Sequence, residues 1–183
     1  MAGNLTLLRK DRGAGFTLPE LLVAVAIIVL MTALILPTWK SGERTLALDR
    51  VVHKAGQDVR RTQELALGAR PYTCQTGSMF GYGIFFDSSS PNSYLVFAEC
   101  DENTIGYNAG TDGIVETITL ENNVQIASVS PTSQISIVFV PPTPTVFLKP
   151  GDPLLAQISF QRTDGQGTPK TLDINSKGVI DSN

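Results

Sequence analysis

Residues 12–36 read RGAGFTLPELLVAVAIIVLMTALIL, and this stretch decides how the chain is organised. Between Phe16 and Leu36 it contains a single charged residue, Glu20. As a helix these residues would extend about 31 Å, which matches the thickness of a bilayer core. The stretch therefore predicts a transmembrane helix over residues 16–37.

The segment before this helix is basic and contains small residues next to the apolar run. Because short segments rich in Lys and Arg stay cytoplasmic, we expect the N-terminus inside and the rest of the chain outside. A secretory signal peptide places its small residues after the apolar region, whereas here they precede it, which disfavours that alternative. The basic residues are Arg9, Lys10 and Arg12, and the small ones are Gly13, Ala14 and Gly15.

Residues 12–22 resemble the class III leader and cleavage motif of type IV prepilins and type II secretion pseudopilins. The resemblance implies that residues 1–15 are a leader, that prepilin peptidase cuts after Gly15, and that the same enzyme methylates the new N-terminal Phe16. Glu20 would then be the fifth residue of the mature protein. Pro19 stands where the family more often has an aliphatic residue, but proline is tolerated in the first turn of a helix.

Glu20 is the unusual residue of the apolar segment. A carboxylate within hydrocarbon costs roughly 2.5–3.5 kcal/mol on insertion scales. Glu20 either reaches the headgroups or pairs with a cation in an assembly. After cleavage, the α-amine of Phe16 on a neighbouring subunit would be such a cation, and pairing with it would fix the register between subunits.

Pro37 ends the apolar run and starts an amphipathic segment, residues 38–70. In the resembling family a proline near this position disrupts the helix, so we expect a kink; alternatively, Pro37 ends the membrane helix beside Trp39 and Lys40. Gly68 is the expected C-cap of one long helix from about Pro19 to Gly68. The residues that share its apolar stripe are Leu48, Val52, Ala55, Val59, Thr62 and Ala66.

Residues 71–183 predict a β-rich head, because short runs alternate apolar and polar residues between turn signals. Asn122-Asn123 and residues 175–178 are expected to form tight turns, and Pro141, Pro142 and Pro144 a stiff loop. The fold class is therefore α+β, a long N-terminal helix packed on antiparallel sheets. Expected strands are Tyr82–Phe86, Tyr94–Glu99, Ile114–Leu120, Val124–Val129, Ile135–Val140, Ala156–Gln161, Thr171–Ile174 and Gly178–Ile180.

The head resembles the GspH/FimT subgroup of minor pilins and pseudopilins, with weaker cues than the N-terminal motif. The cues are the stalk at residues 58–66 followed by a cysteine, the strand at residues 81–87 and the closing element at residues 171–178. The resemblance implies a minor structural subunit of a type IV pilus or a type II secretion pseudopilus. Its partners would be other pilin subunits, prepilin peptidase, the inner-membrane assembly platform and membrane lipid.

The charges of the head bear on a second function, DNA capture, which some members of this subgroup perform through basic residues near the C-terminus. Residues 71–183 contain eleven acidic side chains. Because phosphate binding needs several aligned cations, we disfavour a nucleic-acid partner. The four basic side chains of the head are Lys149, Arg162, Lys170 and Lys177.

Enzymatic and metal chemistry find little support in the sequence. The one histidine, His53, has no nucleophile or carboxylate constellation around it, so we expect no catalytic residues and no cofactor. Residues 99–103, with Asn108 and Asp112, are rich in oxygen ligands but lack EF-hand spacing, which favours a solvated acidic loop over a calcium site. Cys74 and Cys100 would lie outside the membrane, where a disulfide is favoured over two free thiols.

Overall fold

A computed structural model describes residues 15–75, 77–121, 123–142 and 145–182, and gives the backbone alone over residues 36–41. The expected leader lies outside the described residues except for Gly15, and so do Asn122, Pro144 and the side chain of Pro37. The chain divides into two compact units, Met1–Ser41 and Gly42–Asn183.

Helix α1 spans Leu18–Leu67. Its first turn starts at Thr17, whose carbonyl oxygen accepts the N–H groups of Glu20 and Leu21, each at 3.1 Å. Pro19 is the second residue of the helix, where an N–H group would have no intrahelical acceptor. The expected helix, from about Pro19 to Gly68, agrees with the structure to within one residue at each end.

Helix α1 ends at the expected C-cap, Gly68, and the left-handed residue that follows it is Ala69. Ala69 adopts a left-handed conformation with φ of 42°. Its N–H donates to the carbonyl of Ala66 at 3.0 Å, and the N–H of Arg70 donates to the carbonyl of Leu65 at 3.4 Å. This pair of bonds is a Schellman motif in which Gly68 is the C-cap, as expected, and Ala69 takes the left-handed position after it.

Nine strands form two antiparallel sheets. The five-stranded sheet has the order β3-β2-β1-β5-β6, and the four-stranded sheet has the order β4-β7-β8-β9. The strands are β1 Gly81–Asp87, β2 Ser93–Glu99, β3 Gly113–Thr119, β4 Val124–Ser130, β5 Gln134–Val140, β6 Thr145–Lys149, β7 Leu155–Arg162, β8 Lys170–Asn175 and β9 Ile180–Ser182.

Seven of the eight expected strands are confirmed to within one residue at either end, and the α+β class is confirmed with them. The last strand begins at Ile180, two residues later than expected. Strand β6 was not expected, because the neighbouring prolines indicated a loop. The prolines precede β6, which is an edge strand and pairs on one side only. A proline near an edge strand is tolerated, because one side of such a strand needs no hydrogen-bond donors for a neighbouring strand.

The two expected tight turns differ in what they connect. The N–H of Gly178 donates to the carbonyl of Asn175 at 2.9 Å, and the turn joins the paired strands β8 and β9 as a hairpin. The N–H of Val124 likewise donates to the carbonyl of Glu121 at 2.9 Å. That second turn links β3 to β4, which lie in different sheets, and is therefore a crossing between sheets and not a hairpin.

The second half of α1 packs into the core of the head. All six residues of the expected stripe are buried, and Ala47 and Val51 widen it. Except for Thr62, these residues belong to one apolar cluster with the inward-facing residues of both sheets. Those residues alternate along the strands, as in Tyr82, Ile84 and Phe86 of β1 and Ile135, Ile137 and Phe139 of β5.

Ion pairs surround this packed part of α1. Four cross from the helix to the sheets or their loops, and most of their side chains are substantially exposed. Exposed pairs are each worth about 0–1 kcal/mol, so the apolar cluster carries the stability and the pairs fix which way the helix faces. They are Arg44–Asp164, Arg50–Glu121, Arg61–Glu116 and Asp49–Lys170.

Candidate functional site

The expected cleavage point lies in an exposed, non-helical segment. Gly15, Phe16 and Thr17 precede α1 and are all exposed, with Phe16 at 81%. A Cβ placed on Gly15 would meet no atom within 4 Å. The peptide bond between Gly15 and Phe16 is therefore exposed among the described residues.

The helix that follows presents apolar side chains on every side. Residues Leu18–Ile35 have a mean hydropathy of 2.6 and none of them is buried, so by length and composition the helix could cross a membrane. Twelve large apolar side chains here are half exposed or more. Burying each is worth about 1.5–3 kcal/mol, hence roughly 20–35 kcal/mol together, which exceeds the net stability of a typical domain. This surface requires an apolar covering.

Two polar side chains interrupt the apolar segment, and they differ in how they are satisfied. The hydroxyl of Thr32 donates to the carbonyl oxygen of Ile28 at 2.7 Å, so its donor is used within the helix. Glu20 lies in the first turn, where its negative charge interacts favourably with the helix dipole. Its carboxylate is exposed and has no hydrogen bond or ion pair among the described residues.

His53 and the cysteines lie in the head. His53 is exposed on α1 and lines a groove with Arg60 and Ser182, and no hydrogen bond joins its ring to the Ser182 hydroxyl among the described residues. Cys74 and Cys100 are joined by a disulfide with Cα atoms 5.8 Å apart. The bridge attaches the segment after α1 to the end of β2.

The basic residues of the head are mostly engaged by carboxylates. The Nζ of Lys149 is 2.7 Å from Asp152, and Lys170 is paired with Asp49. Arg162 and Arg44 share one oxygen of Asp164, each at 2.6 Å. The backbone N–H of Gln166 and, second, the Arg162 guanidinium lower the pKa of Asp164 to about 2. Among the described residues no row of unpaired cations lines the C-terminal strands, which gives DNA capture no support.

The acidic segment after β2 uses its carboxylates to fold itself. The Asp112 carboxylate accepts the N–H groups of Cys100 and Asn108, and the Asp101 carboxylate accepts the N–H of Asn103. No cluster of three or more His, Cys, Asp or Glu side chains suited to a metal ion occurs in the described part of the chain.

Two buried carboxyl groups were missed by the sequence reasoning. Asp58, which is not one of the stripe residues named above, is buried and accepts a hydrogen bond from the hydroxyl of Tyr94 at 2.6 Å. Asp58 follows Ala55 of the stripe by three residues, and this helical spacing could have predicted that it lies on the buried face. Glu99, at the end of β2, has no exposed surface, and burial followed by the nearby Asp112 charge raises its pKa to about 7. No local pattern marks Glu99 as buried, because its covering comes from residues 101–106, outside the strand.

Comparison with known proteins finds one match, at the N-terminus. Residues 10–36 match the family model described as the prokaryotic N-terminal methylation motif. Neither the curated proteins nor the solved structures gave a match. The chain thus carries the N-terminal motif of type IV prepilin-like proteins, which supports a pilin- or pseudopilin-type subunit anchored in a membrane by its apolar helix.

Proposed function

We propose that this chain is a minor structural subunit of the GspH/FimT kind in a type IV pilus or type II secretion pseudopilus. Prepilin peptidase removes residues 1–15 and methylates Phe16. Before assembly the subunit is anchored in the inner membrane, with its head on the extracytoplasmic side. The assembly platform then moves it into a filament, where its apolar helix contacts the helices of other subunits.

The observation that carries this proposal is the exposed apolar surface over Leu18–Ile35, directly behind the methylation motif. Lipid covers that surface before assembly, and neighbouring helices cover it afterwards. The transfer loses little apolar burial, because packed helices and acyl chains are comparably apolar. A subunit can therefore move from the membrane to the filament without exposing the segment to water.

Glu20 makes the filament more favourable for the subunit than the membrane. In lipid its carboxylate is costly, and in a filament it is compensated when it faces the α-amine of Phe16 on a neighbour. Only one axial offset brings the two charges together, so the pair selects the register. The same step requires prior cleavage, since the amine is created by it.

The first experiment is intact-mass analysis of protein extracted from membranes. We expect a chain that begins at Phe16 and carries one added methyl group. Gly15→Leu should block the cut, whereas Gly42→Leu, at a position that is equally open, should leave it unchanged. A mature chain that keeps residues 1–15 in cells with active prepilin peptidase would contradict the processing step.

The second experiment separates assembly from folding. Glu20→Ala should remain in the membrane at its normal level but be lost from sheared or cross-linked filaments. Glu43→Ala, which removes an exposed carboxylate from the same helix, is the matched control and should be incorporated normally. Normal incorporation of Glu20→Ala would show that the side chain only reaches for the headgroups.

A further inference from the structure

A groove, which we name the α1–β9 groove, runs between the packed half of α1 and the strand β9. His53, Gln57 and Arg60 form its wall on the helix, and Ser182 lies on the strand side. Its volume is about 190 Å³, whereas pockets for small ligands usually have roughly 300–1,000 Å³. The groove therefore has room for one or two side chains of another molecule and not for a cofactor.

Two side chains of the groove lack the acidic partners that the other arginines of the packed helix have. Neither Arg60 nor His53 forms an ion pair in the described part of the chain. An arginine is always charged and carries five N–H donors, and a histidine ring carries at least one. The groove thus presents positive charge and donors that no carboxylate satisfies. The arginines that are paired with carboxylates of the head are Arg44, Arg50 and Arg61.

The acids next to the groove do not supply the missing acceptor. Asp49, at one end, is bound to Lys170 at 2.6 Å. Asp181 of β9 accepts the backbone N–H of the next residue at 2.9 Å. Glu64 lies one helical turn after Arg60, yet no ion pair joins them among the described residues. An acidic partner for the groove has to come from another molecule.

Gly56 keeps the groove open. It lies in the interior of α1, where glycine is less favourable than alanine. A Cβ at this position would lie 3.5 Å from Cδ1 of Leu172 and 3.7 Å from Cγ2 of Ile180, which are ordinary contacts. Packing of the head therefore does not require a glycine here. The missing side chain leaves space between the helix and β9, where an incoming side chain can lie.

Strand β9 adds a free edge to the groove. It is the last strand of the four-stranded sheet and pairs with β8 alone. The other edge of such a strand directs N–H and C=O groups away from its sheet, and extended segments of other chains bind there by adding a strand. A segment that lies along β9 can direct alternate side chains toward α1.

We propose that the α1–β9 groove is a subunit contact that holds an extended acidic segment of a neighbouring pilin-type subunit, with an Asp or Glu side chain of that segment bound by Arg60 and His53. The inference rests on the proposed function, since it needs a neighbour in a filament. Charge complementarity selects the occupant, because a guanidinium binds a carboxylate through two parallel N–H bonds. Nucleic acid, which is also anionic, is disfavoured by the eleven acidic side chains of the head against four basic ones.

This contact would do what the apolar helix cannot. The surface of Leu18–Ile35 is uniformly apolar, so it packs on any subunit that carries a similar helix. A charge pair discriminates between neighbours, because a subunit with a like charge at the same place is repelled. The groove therefore determines which subunit lies beside this one, whereas the apolar helix determines only that it enters the filament.

The test is photo-crosslinking in cells that assemble filaments, with Gln57 of the full chain replaced by p-benzoylphenylalanine. Gln57 is exposed on the helix wall, one turn from both Arg60 and His53. We expect an adduct with another chain that carries the methylation motif. Peptide mapping should place the cross-link within about three residues of an Asp or Glu, which is roughly 10 Å along an extended strand.

Charge reversal identifies the group that holds the partner. Arg60→Glu in the same chain should lower the yield of the adduct by about tenfold or more, because attraction becomes repulsion. Arg70→Glu reverses an exposed cation outside the groove and should leave the yield unchanged. Replacing the mapped acid of the partner by lysine should restore the adduct of Arg60→Glu. The urea midpoint of Arg60→Glu should equal that of the wild type, since the side chain is exposed and unpaired.

The outcomes separate this contact from the proposed function. If the wild-type chain is recovered in filaments but Gln57 gives no adduct with another subunit, the groove contact is overturned and the proposed function stands. An adduct with lipid or DNA alone, or one whose yield is insensitive to Arg60→Glu, overturns the contact in the same way. Absence of the wild-type chain from filaments contradicts the proposed function itself, whatever the yield at Gln57.

Discussion

Tyr94→Phe removes one hydroxyl from the centre of the head and leaves its partner in place. Tyr94 lies on β2 and Asp58 on α1; both are buried, and the hydroxyl donates to the carboxylate at 2.6 Å. The substitution keeps the ring and its contact with Phe86, whose centroid is 4.9 Å away. It therefore isolates the loss of one hydrogen bond to a buried carboxylate.

The expected cost follows from what the carboxylate loses. A hydrogen bond to a charged group contributes about 1.5–3 kcal/mol, against about 0.5–1.5 kcal/mol for a neutral one. Tyr82→Phe supplies the neutral comparison, because the Tyr82 hydroxyl donates to the carbonyl oxygen of Arg70 at 3.0 Å and the residue is also buried. We expect Tyr94→Phe to lower the free energy of unfolding by roughly twice as much as Tyr82→Phe.

The assay is urea unfolding of the full chain in non-ionic detergent, followed by circular dichroism with the disulfide intact. With a urea slope of about 1–3 kcal/mol per molar, the Tyr94→Phe midpoint should fall by about 1 M. Asp58→Leu combined with Tyr94→Phe should cost less than the sum of the single changes, since no buried charge is left alone. Equal costs for Tyr94→Phe and Tyr82→Phe, or strict additivity in the double variant, would refute the reasoning.

The same pair predicts a sensitivity to alkali. Burial, and secondarily the bond to Asp58, raises the pKa of Tyr94 above its ordinary value of 10. A raised folded-state pKa means that the neutral phenol stabilises the head below about pH 10 and that this contribution is lost as the pH rises further. Tyr94→Phe should therefore show a smaller loss of stability above pH 10 than the wild type.

Three other changes have defined outcomes. Ala69→Gly should raise the free energy of unfolding by about 1 kcal/mol, because glycine adopts the left-handed conformation without a Cβ penalty; an unchanged urea midpoint would contradict this. Replacing both cysteines by serine should cost roughly 3–4 kcal/mol, and non-reducing peptide mapping of the wild type should find Cys74 joined to Cys100 and not two free thiols. A chain truncated before Thr38 should be soluble without detergent and retain a cooperative unfolding transition, because the described core lies within Gly42–Asn183.

The local periodicity of the sequence predicted α1 and most strands well, since a buried stripe or alternating face leaves a pattern in neighbouring residues. Ala55 and Val59 illustrate this for the helix, and Ile135 and Ile137 for a strand. The pattern fails where burial is imposed from outside the helix or strand. Glu99 resembles a solvated acid in its local sequence, and it is buried because residues 101–106 fold back onto its carboxyl group.

The sequence also could not predict which strands belong to the same sheet. The turn at Glu121–Val124 looked like a hairpin, because a tight turn between two alternating runs is the same signal whether the strands pair or separate. Their separation is decided by the other partners available, β2 for β3 and β7 for β4. In the N-terminal segment the sequence is more informative than the structure. The motif in residues 10–36 indicates far more about function than an exposed apolar helix does.

The continuity of α1 has a mechanical consequence. Helix α1 is one element, Leu18–Leu67, and its second half is buried in the core of the head. From Leu48 to Ala66 the buried stripe extends about 27 Å. Sliding the helix out would have to break these contacts together, as in shear, and not one after another, as in peeling. A head built in this way resists withdrawal of the helix along its own axis better than separation of the helix from the sheets one contact at a time.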